Sequence, residues 1–495
     1  MDGNTGAHRG RLSRRGFGGG LAALWALTAT RSALGAVAQD RFGALQPFDW
    51  ARLVATAQAR ARQPFRPHIA AHAVPDYDSQ VRLSYGHADL VAGRLRLFPA
   101  RRDVAPVAVT IHVVEGHRAR EIVNLRGLFN GSDRADAAGF RVTNGDGGAD
   151  WLAYLGASYF RAAGRGGQYG LSARAVAVDT AMPGPEEFPA FTDFWIENKG
   201  DERLMIHALV DGPSLCGAFA FDTRRSATAV VQNVTAALFL RRDIARLGLA
   251  PITSMFDFDD GHGADQRPEV HDSDGLAILT GSGERIWRPL DNPPGPRVHL
   301  LRADHVKGFG LIQRDQAFEH YRDNQSFFDR RPSLWVEPQG DWGLGGVMLY
   351  EMNTVSQNVD NIATMWIADA AARAGQRRDF AYRLTWGQSD PATDGRARCV
   401  NVSSVSPEAG ITRYVFDFQG ASLTGLDRAS GVVAVTNVPQ ANLALASAVP
   451  LGGPGGLWRA TIDVRTQGLV QDEFRLFLRR GNDALGETVI KTVRP

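Results

Sequence analysis

Apolar and polar positions alternate along this chain in short runs. Val81-Arg82-Leu83-Ser84-Tyr85, the run from Val107 to Val113, Ala175-Val176-Ala177-Val178 and Val230-Val231-Gln232-Asn233-Val234 all show it. A period of two is that of a half-buried β-strand, and clusters of Gly, Pro, Asn and Asp separate the runs. The 54 Gly and 24 Pro supply many turns. One segment breaks the pattern: from Phe48 to Arg62, Leu53, Val54 and Ala57 follow a helical period and predict a short amphipathic helix. Strands without interleaved helices predict an all-β protein built of sandwiches rather than a parallel α/β sheet.

The pattern changes near residue 390. Gln388-Ser389-Asp390-Pro391-Ala392-Thr393-Asp394-Gly395 reads as a loop or linker. Beyond it, Arg413–Phe418, Val432–Val435, Trp458–Val464 and Phe474–Leu478 are short strands at regular spacing. They predict a smaller immunoglobulin-like β-sandwich over 396–495, after a large N-terminal β-sandwich over 39–387.

The N-terminus is a different kind of segment. Arg9, Arg11, Arg14 and Arg15 make a basic head, a weakly apolar stretch runs from Phe17 to about Ala29, and Ala36-Val37-Ala38 before Gln39 has the form of a cleavage site. Residues 1–38 therefore read as a signal peptide, too short in its apolar part for the roughly 20 residues of a membrane span. Ser13-Arg14-Arg15-Gly16-Phe17 is the twin-arginine form of such a signal, which predicts export to the periplasm. No later segment is long and apolar enough to span a membrane, so none is expected in the mature chain.

Cleavage changes the charge balance. The whole chain has 55 basic and 53 acidic residues; losing five arginines and one aspartate leaves 50 and 52, a net charge of −2. A near-neutral protein offers no electrostatic footprint for nucleic acid or anionic lipid. Two cysteines, Cys216 and Cys399, allow one bridge and no disulfide framework. They lack the spacing of a zinc or iron–sulfur site. Phosphate-binding glycine loops are absent, and the Gly212–Gly217 segment has the wrong spacing for a nucleophile elbow. Asp257-Phe258-Asp259-Asp260-Gly261 does not fit calcium-loop spacing, so neither metal nor cofactor is expected.

What remains is a series of blocks dense in aromatic residues, arginines and acids. They include Gly156–Arg161, Tyr169–Arg174, Glu186–Pro189 with Phe194–Glu197, Ala250–Phe256, Arg267–Leu276, Trp287–Leu290, Gly308–Arg314, Arg330–Pro338 with Asp341–Gly343, and Val359–Ile362. Sugar hydroxyls pair with carboxylates, guanidinium groups and amides, and apolar sugar faces lie on aromatic rings. Glycosidic cleavage needs two carboxyl groups, one protonated and one ionised. The alternative is that the aromatics fill sandwich cores while Arg–acid pairs brace loops.

Over about residues 42 to 385, and more loosely beyond, the chain resembles the periplasmic glucan biosynthesis proteins of the G and D types. The resemblance rests on GASYFR at 156–161, YGLSAR at 169–174, RPEVHDSDGL at 267–276, WRPL at 287–290, RRPSLWVEP at 330–338 and VDNI at 359–362. The twin-arginine signal points to the D type. The resemblance implies a glucan-binding or catalytic domain over 39–387 that takes the β-1,2-linked glucose backbone, and anomer-inverting glycoside hydrolase chemistry. Asp360 matches the family's general acid and Asp272 its general base, the latter acting through a relay. Inverting chemistry spaces such carboxyl groups about 6.5–9.5 Å apart, with room for water. Substrate-binding candidates are Tyr159, Arg161, Arg174, Glu187, Trp195, Arg267, Glu269, His271, Asp274, Trp287, Arg288, Arg314, Arg331, Trp335, Trp342 and Asn361. Two alternatives stay open: a transglycosylase that cyclises or remodels the glucan, and a non-catalytic glucan-binding factor that assists a membrane-bound glucan synthase. Two positions depart from the family pattern. Phe328 stands where a tyrosine is common before Arg331-Pro332-Ser333-Leu334-Trp335, and Gln357 where an acid is more frequent. A proton relay through a hydroxyl at 328 would have to be rerouted.

Overall fold

A computed structural model describes residues 41–72, 84–85, 95–102, 105–130, 134–144, 149–200, 202–259, 266–388, 394–452 and 455–493. The signal segment 1–38, residues 81–83 of the first expected strand, Asp260 and Gly261 of the acidic loop, and 389–393 of the linker lie outside these residues. The described chain is nearly all β, as the alternation predicts. Among the described residues no helix is long and apolar enough to cross a membrane.

The helix forms over Trp50–Ala61, two residues inside the expected start. Asp49 sets that start: its side chain accepts a hydrogen bond from the backbone N–H of Arg52, satisfying a donor the first turn leaves free. Leu53 and Ala57 are buried on one face and pack on Cys216, Ala218, Ala237 and Phe239.

Two sheets make the main body, one of sixteen strands and one of ten. Their inner faces share one core, in which Phe140 stacks on Tyr154 at 5.2 Å and Tyr154 on Phe160 at 5.1 Å. Phe221 of the larger sheet meets Tyr154 edge-on at 5.4 Å. Such pairs add about 0.5–1.5 kcal/mol each beyond area burial. Three polar side chains in this core satisfy one another: Gln232 Nε2 donates to the Tyr154 hydroxyl at 2.8 Å, and Trp386 Nε1 donates to Gln232 Oε1 at 2.9 Å. Two of the alternating runs become strands Val176–Val178 and Val230–Leu240, and the run from Val107 to Val113 pairs mainly over Thr110–Glu115.

Beyond the linker, Arg398–Glu408, Ile411–Gln419, Leu457–Arg465 and Leu443–Pro450 form a separate four-stranded sheet. The other C-terminal strands do not close a second sheet of their own. Thr488–Thr492 pairs parallel to Arg285–Pro289, registering Ile286 with Thr488 and Trp287 with Val489. Glu473–Arg480 and Val432–Thr436 then extend the sixteen-stranded sheet. Trp287 and Trp335 join Tyr414, Phe416, Trp458 and Phe474 in one core, so sheet and core both continue across the break in sequence. Cys216 and Cys399 are free and buried. Burial pushes the Cys216 thiol up to about 12 and raises that of Cys399 as well.

A candidate active site on the ten-stranded sheet

Strands Tyr159–Ala162, Ser172–Arg174, Leu247–Ser254 and Ile362–Ala368 are contiguous in the ten-stranded sheet. Phe160 and Ala162 point into the core, which sends the half-buried Tyr159 and Arg161 to the opposite face. There they line a cleft of ≈ 550 Å³ together with Tyr169, Gly170, Asp272, Arg331 and the segment Gln357–Asp360.

Asp360 ends the loop that leads into strand Ile362–Ala368, and it is exposed. Its Oδ2 accepts from Thr253 Oγ1 at 2.8 Å, and Thr253 in turn pairs with Ser172 Oγ at 3.0 Å. The next residue, Asn361, is buried and fully engaged. Its Oδ1 accepts from the Phe256 N–H at 2.8 Å, while Nδ2 donates to the carbonyls of Phe256 and Met352, each at 2.9 Å. Asn361 is thus a staple beneath the loop, with its amide groups committed to the backbone rather than open to a sugar.

Asp272 follows the two-residue strand Val270–His271 and is 4% exposed. Its N–H donates to the Met255 carbonyl at 2.8 Å, and its Oδ1 accepts from Arg331 Nη1. Burial raises the Asp272 pKa; Arg331 opposes by charge and hydrogen bond, Asp360 adds to the rise, and His271 opposes it. Asp272 and Asp360 therefore feel one another across the cleft. Arg331 is held by the Ser326 carbonyl, 3.3 Å from Nε and 3.1 Å from Nη2, and its guanidinium lies 4.0 Å from the Phe328 ring centroid. Gly170 makes room for it, since a Cβ there would stand 3.0 Å from Arg331 Cβ.

The rim is aromatic and cationic. The Arg161 guanidinium lies 4.4 Å from the Tyr169 ring centroid, and the Tyr169 hydroxyl donates to Asp150 Oδ2 at 3.1 Å. Arg174 donates to the Ala157 carbonyl at 2.8 Å and packs on Phe188 at 4.5 Å. Burial lowers the Arg174 pKa, while the charges of Tyr159, Asp360 and Glu186 oppose the fall. Gln357 Oε1 is buried without a hydrogen-bond partner among the described residues.

Behind Asp272 lies a buried polar network. His271 contacts Gln313 Oε1 at 3.1 Å through Nδ1 and Glu269 Oε2 at 3.2 Å through Nε2. Gln313 Nε2 donates to the Tyr321 hydroxyl at 2.8 Å, which donates to the Asp315 carbonyl at 3.0 Å. Burial works against charge on His271. Its bond to Glu269 and the charges of Asp274, Asp259 and Glu269 outweigh that and push it up to about 9. Burial lifts Asp274 to about 6 against the pull of His271 and of the Asp315 and Arg314 N–H groups. Glu269 is also raised by burial. Asp259, Glu269 and His271, and Glu269, Asp315 and His320, each bring ligand-type atoms within 4.8 Å of one another. In both groups the imidazole is already bonded to a carboxylate, Glu269 for His271 and Asp315 for His320.

Of the sequence candidates, Tyr159, Arg161, Asp272, Arg331 and Asp360 line the cleft. Arg174 borders it, and Glu269, His271, Asp274 and Asn361 support it from behind. Arg267 pairs with Asp323 at 2.5 Å and lies 5.8 Å from the Phe328 ring, also behind. The rest sit elsewhere. Glu187 accepts from the Ser214 backbone at 3.0 Å and pairs with Arg242. Trp195 is sandwiched between Phe48 at 5.1 Å and His112 at 4.6 Å. Arg288 reaches Glu351 at 3.2 Å and Glu473 at 2.7 Å; Arg314 grips Glu487 at 2.6 and 2.9 Å and covers Trp287 at 3.5 Å. Trp335 is buried in the C-terminal core, and Trp342 lines a different cavity. Structural bracing explains most of these residues: Trp287, Arg288, Arg314 and Trp335 tie the C-terminal strands to the main body, while Glu187 and Trp195 brace the main body itself. Tyr169, Gly170 and Thr253 were not singled out, although the blocks at 169–174 and 250–256 contain them.

Fold and cleft define a β-sandwich protein with a carboxylate pair set among aromatics and arginines. The description "Periplasmic glucan biosynthesis protein, MdoG" matches residues 48–493, and the chain belongs to that family, with a role in glucan biosynthesis. It is similar to "Glucans biosynthesis protein D 2" of Ralstonia nicotianae, 38% identical over 95% of this chain and 96% of the relative. "Glucans biosynthesis protein D" of Stenotrophomonas maltophilia is 38% identical over 96% of this chain and 95% of its own. Among solved structures, a polysaccharide lyase aligns over 82% of this chain and 48% of its own at 10% identity, with a TM-score of 0.25 too low to carry an argument.

Proposed function

We propose that the protein is a periplasmic, anomer-inverting endo-β-1,2-glucanase that trims glucan backbones, with Asp360 as general acid and Asp272 as general base. The observation that carries this is the meeting of Asp272 and Asp360, from distant parts of the sequence, in one cleft lined by Tyr159, Arg161 and Tyr169. Arg331 favours the ionised carboxylate while burial raises its basicity; both suit a base that draws a proton from water. Asp360 stands open at the cleft, where a glycosidic oxygen can reach it. A general acid works best in a desolvated setting; the free cleft is open, and a bound glucan chain would supply that setting. The bond cleaved is anomeric carbon to glycosidic oxygen: Asp360 gives its proton to that oxygen, and water, deprotonated towards Asp272, adds to the carbon from the opposite face.

Asp360→Asn keeps shape and most hydrogen bonds but removes the proton. Turnover of linear β-1,2-glucan should fall on the order of 10²–10⁴-fold with glucan affinity kept. Near wild-type cleavage by that variant, measured by product mass, would remove Asp360 from the mechanism. A second reading, the binding factor that assists a membrane-bound synthase, draws on Phe328. It is fully buried beneath Arg331 and has no hydroxyl to relay a proton. Wild-type protein that binds glucan and leaves it uncut would favour that reading, and cyclic products would favour the transglycosylase.

A further inference from the structure

The ten-stranded sheet has a second cavity at the far end of the strands that carry the cleft. Strands Leu247–Ser254 and Ile362–Ala368 pair with Ser254 opposite Ile362 beside the cleft and Gly248 opposite Ile367 at the other end. That length of strand spans about 20 Å. There a cavity of ≈ 530 Å³ is lined by Leu247, Leu249 and Trp366 of this sheet and by Arg378–Phe380 of the larger sheet. The segment 369–373 passes over it, tied down by the bridge between Ile244 and Ala372.

The lining has two characters. The floor is aromatic: Trp342 lies 5.4 Å from Trp366 and 6.3 Å from Phe380 between ring centroids. Trp342 Nε1 donates to the Ala381 carbonyl at 3.3 Å, which fixes the indole and leaves it half-buried at the cavity. The rim carries charge, and most of that charge is internally matched. Asp341 pairs with His305 at 2.9 Å, Asp369 with Arg302 at 2.7 Å, Asp379 with Arg377 at 2.8 Å and Arg373 with Asp243 at 2.8 Å. Arg378 donates to the Ala371 carbonyl at 2.5 Å and to Gln376 at 2.9 Å.

A ligand with net charge gains little from such a rim. A neutral molecule gains from it if it carries an apolar face for the indole and many hydroxyls for the spare lone pairs and N–H groups of the rim. We propose that this cavity is a second saccharide site, which takes a glucose oligosaccharide segment of the same glucan the cleft takes. The choice of glucan rests on the reading of the cleft given above. Two sites on one rigid sheet hold a long chain by avidity and keep a polymer on the protein between encounters with the cleft.

Ala370 and Ala371 are exposed at the mouth, where a large side chain fills the cavity without touching the floor. The test is calorimetric titration of Asp360→Asn protein with a short linear β-1,2-glucan oligosaccharide, alone and combined with Ala371→Trp or with Ala370→Trp. Thermal melts check that each variant folds. The parent should bind two oligosaccharides per chain and each mouth-filled variant one. One per chain in the parent, kept in both variants, overturns the second site and leaves the cleft standing. One in the parent that is lost in both variants keeps the second site and sinks the cleft. Binding in none of the three proteins overturns both.

Discussion

Arg331 is the residue whose removal says most about the cleft. It bonds Asp272, a carboxylate that is 4% exposed, and burial already raises the Asp272 pKa above its usual 3.8. Arg331→Gln would leave that carboxylate buried without its cation. Breaking such a pair costs about 3–5 kcal/mol if the remaining group stays charged. The cheaper response is protonation: without the opposing guanidinium, burial lifts the Asp272 pKa further. Since a base must be ionised, the proposed role of Asp272 predicts that the acid limb of the rate profile moves to higher pH. Cleavage should fall most at acid pH and recover much of the loss at pH 8. The assay is initial cleavage of linear β-1,2-glucan from pH 4 to 9, beside thermal melts over the same range. Replacing the aspartate as well, in Arg331→Gln with Asp272→Asn, should restore most of the stability without restoring cleavage. A uniform loss of rate with an unmoved acid limb would refute the reasoning, since Arg331 would then act on substrate alone.

Two further expectations concern other parts of the chain. His271 is pushed from 6.5 up to about 9 when folded, so its contribution to stability, on the order of 3 kcal/mol, is whole below pH 6.5 and lost as pH rises through 9. His271→Gln should flatten that fall in melting temperature between pH 6.5 and 9.5, and an unchanged slope would place the loss elsewhere. At the N-terminus, we propose twin-arginine export of residues 1–38: Arg14→Lys with Arg15→Lys should leave precursor in the cytoplasm on cell fractionation. Normal periplasmic accumulation of that variant counts against the route.

Alternation alone was enough to read the all-β architecture, because a half-buried strand writes its two faces directly into sequence. The helix at Trp50–Ala61 was legible for the same reason, and Asp49 explains its two-residue later start. The sheet that crosses from Arg285–Pro289 to Thr488–Thr492 was not legible. Parallel pairing between strands so far apart leaves no local signal, and the linker composition suggested two closed sandwiches. In the cleft, Asp272, Arg331 and Asp360 came from motifs, whereas Tyr169 and Thr253 act through neighbours that only the fold supplies. Arg288, Arg314, Trp195 and Trp287 misled because an aromatic beside an arginine and an acid has the same composition in a brace as in a sugar groove. Only burial and partner identity separate them: Arg314 spends its hydrogen bonds on Glu487 and the Cys399 carbonyl, leaving its guanidinium little for a ligand.

The braces nevertheless bear on the cleft, through the loop that carries Asp360. That loop starts after Glu351, which is fully buried, accepts from the Asp291 N–H at 2.8 Å and meets Arg288 at 3.2 Å. Arg288 continues to Glu473 of the C-terminal strands at 2.7 Å. Burial raises the Glu351 pKa and the Arg288 charge opposes it, so the carboxylate depends on its partner. Midway, Asn292 accepts from the Thr354 N–H at 3.0 Å and donates to the Thr354 carbonyl at 2.8 Å. At the far end Asn361 staples the chain to Phe256 and Met352. Between these anchors the loop is open to solvent, with Val355 91% exposed and Val359 54% exposed. A loop fixed at its base by buried polar groups loses little backbone entropy when a polymer settles on it. The C-terminal strands thus act at a distance: they contribute no residue to the cleft lining, yet through Glu473, Arg288 and Glu351 they fix where the segment bearing Asp360 begins.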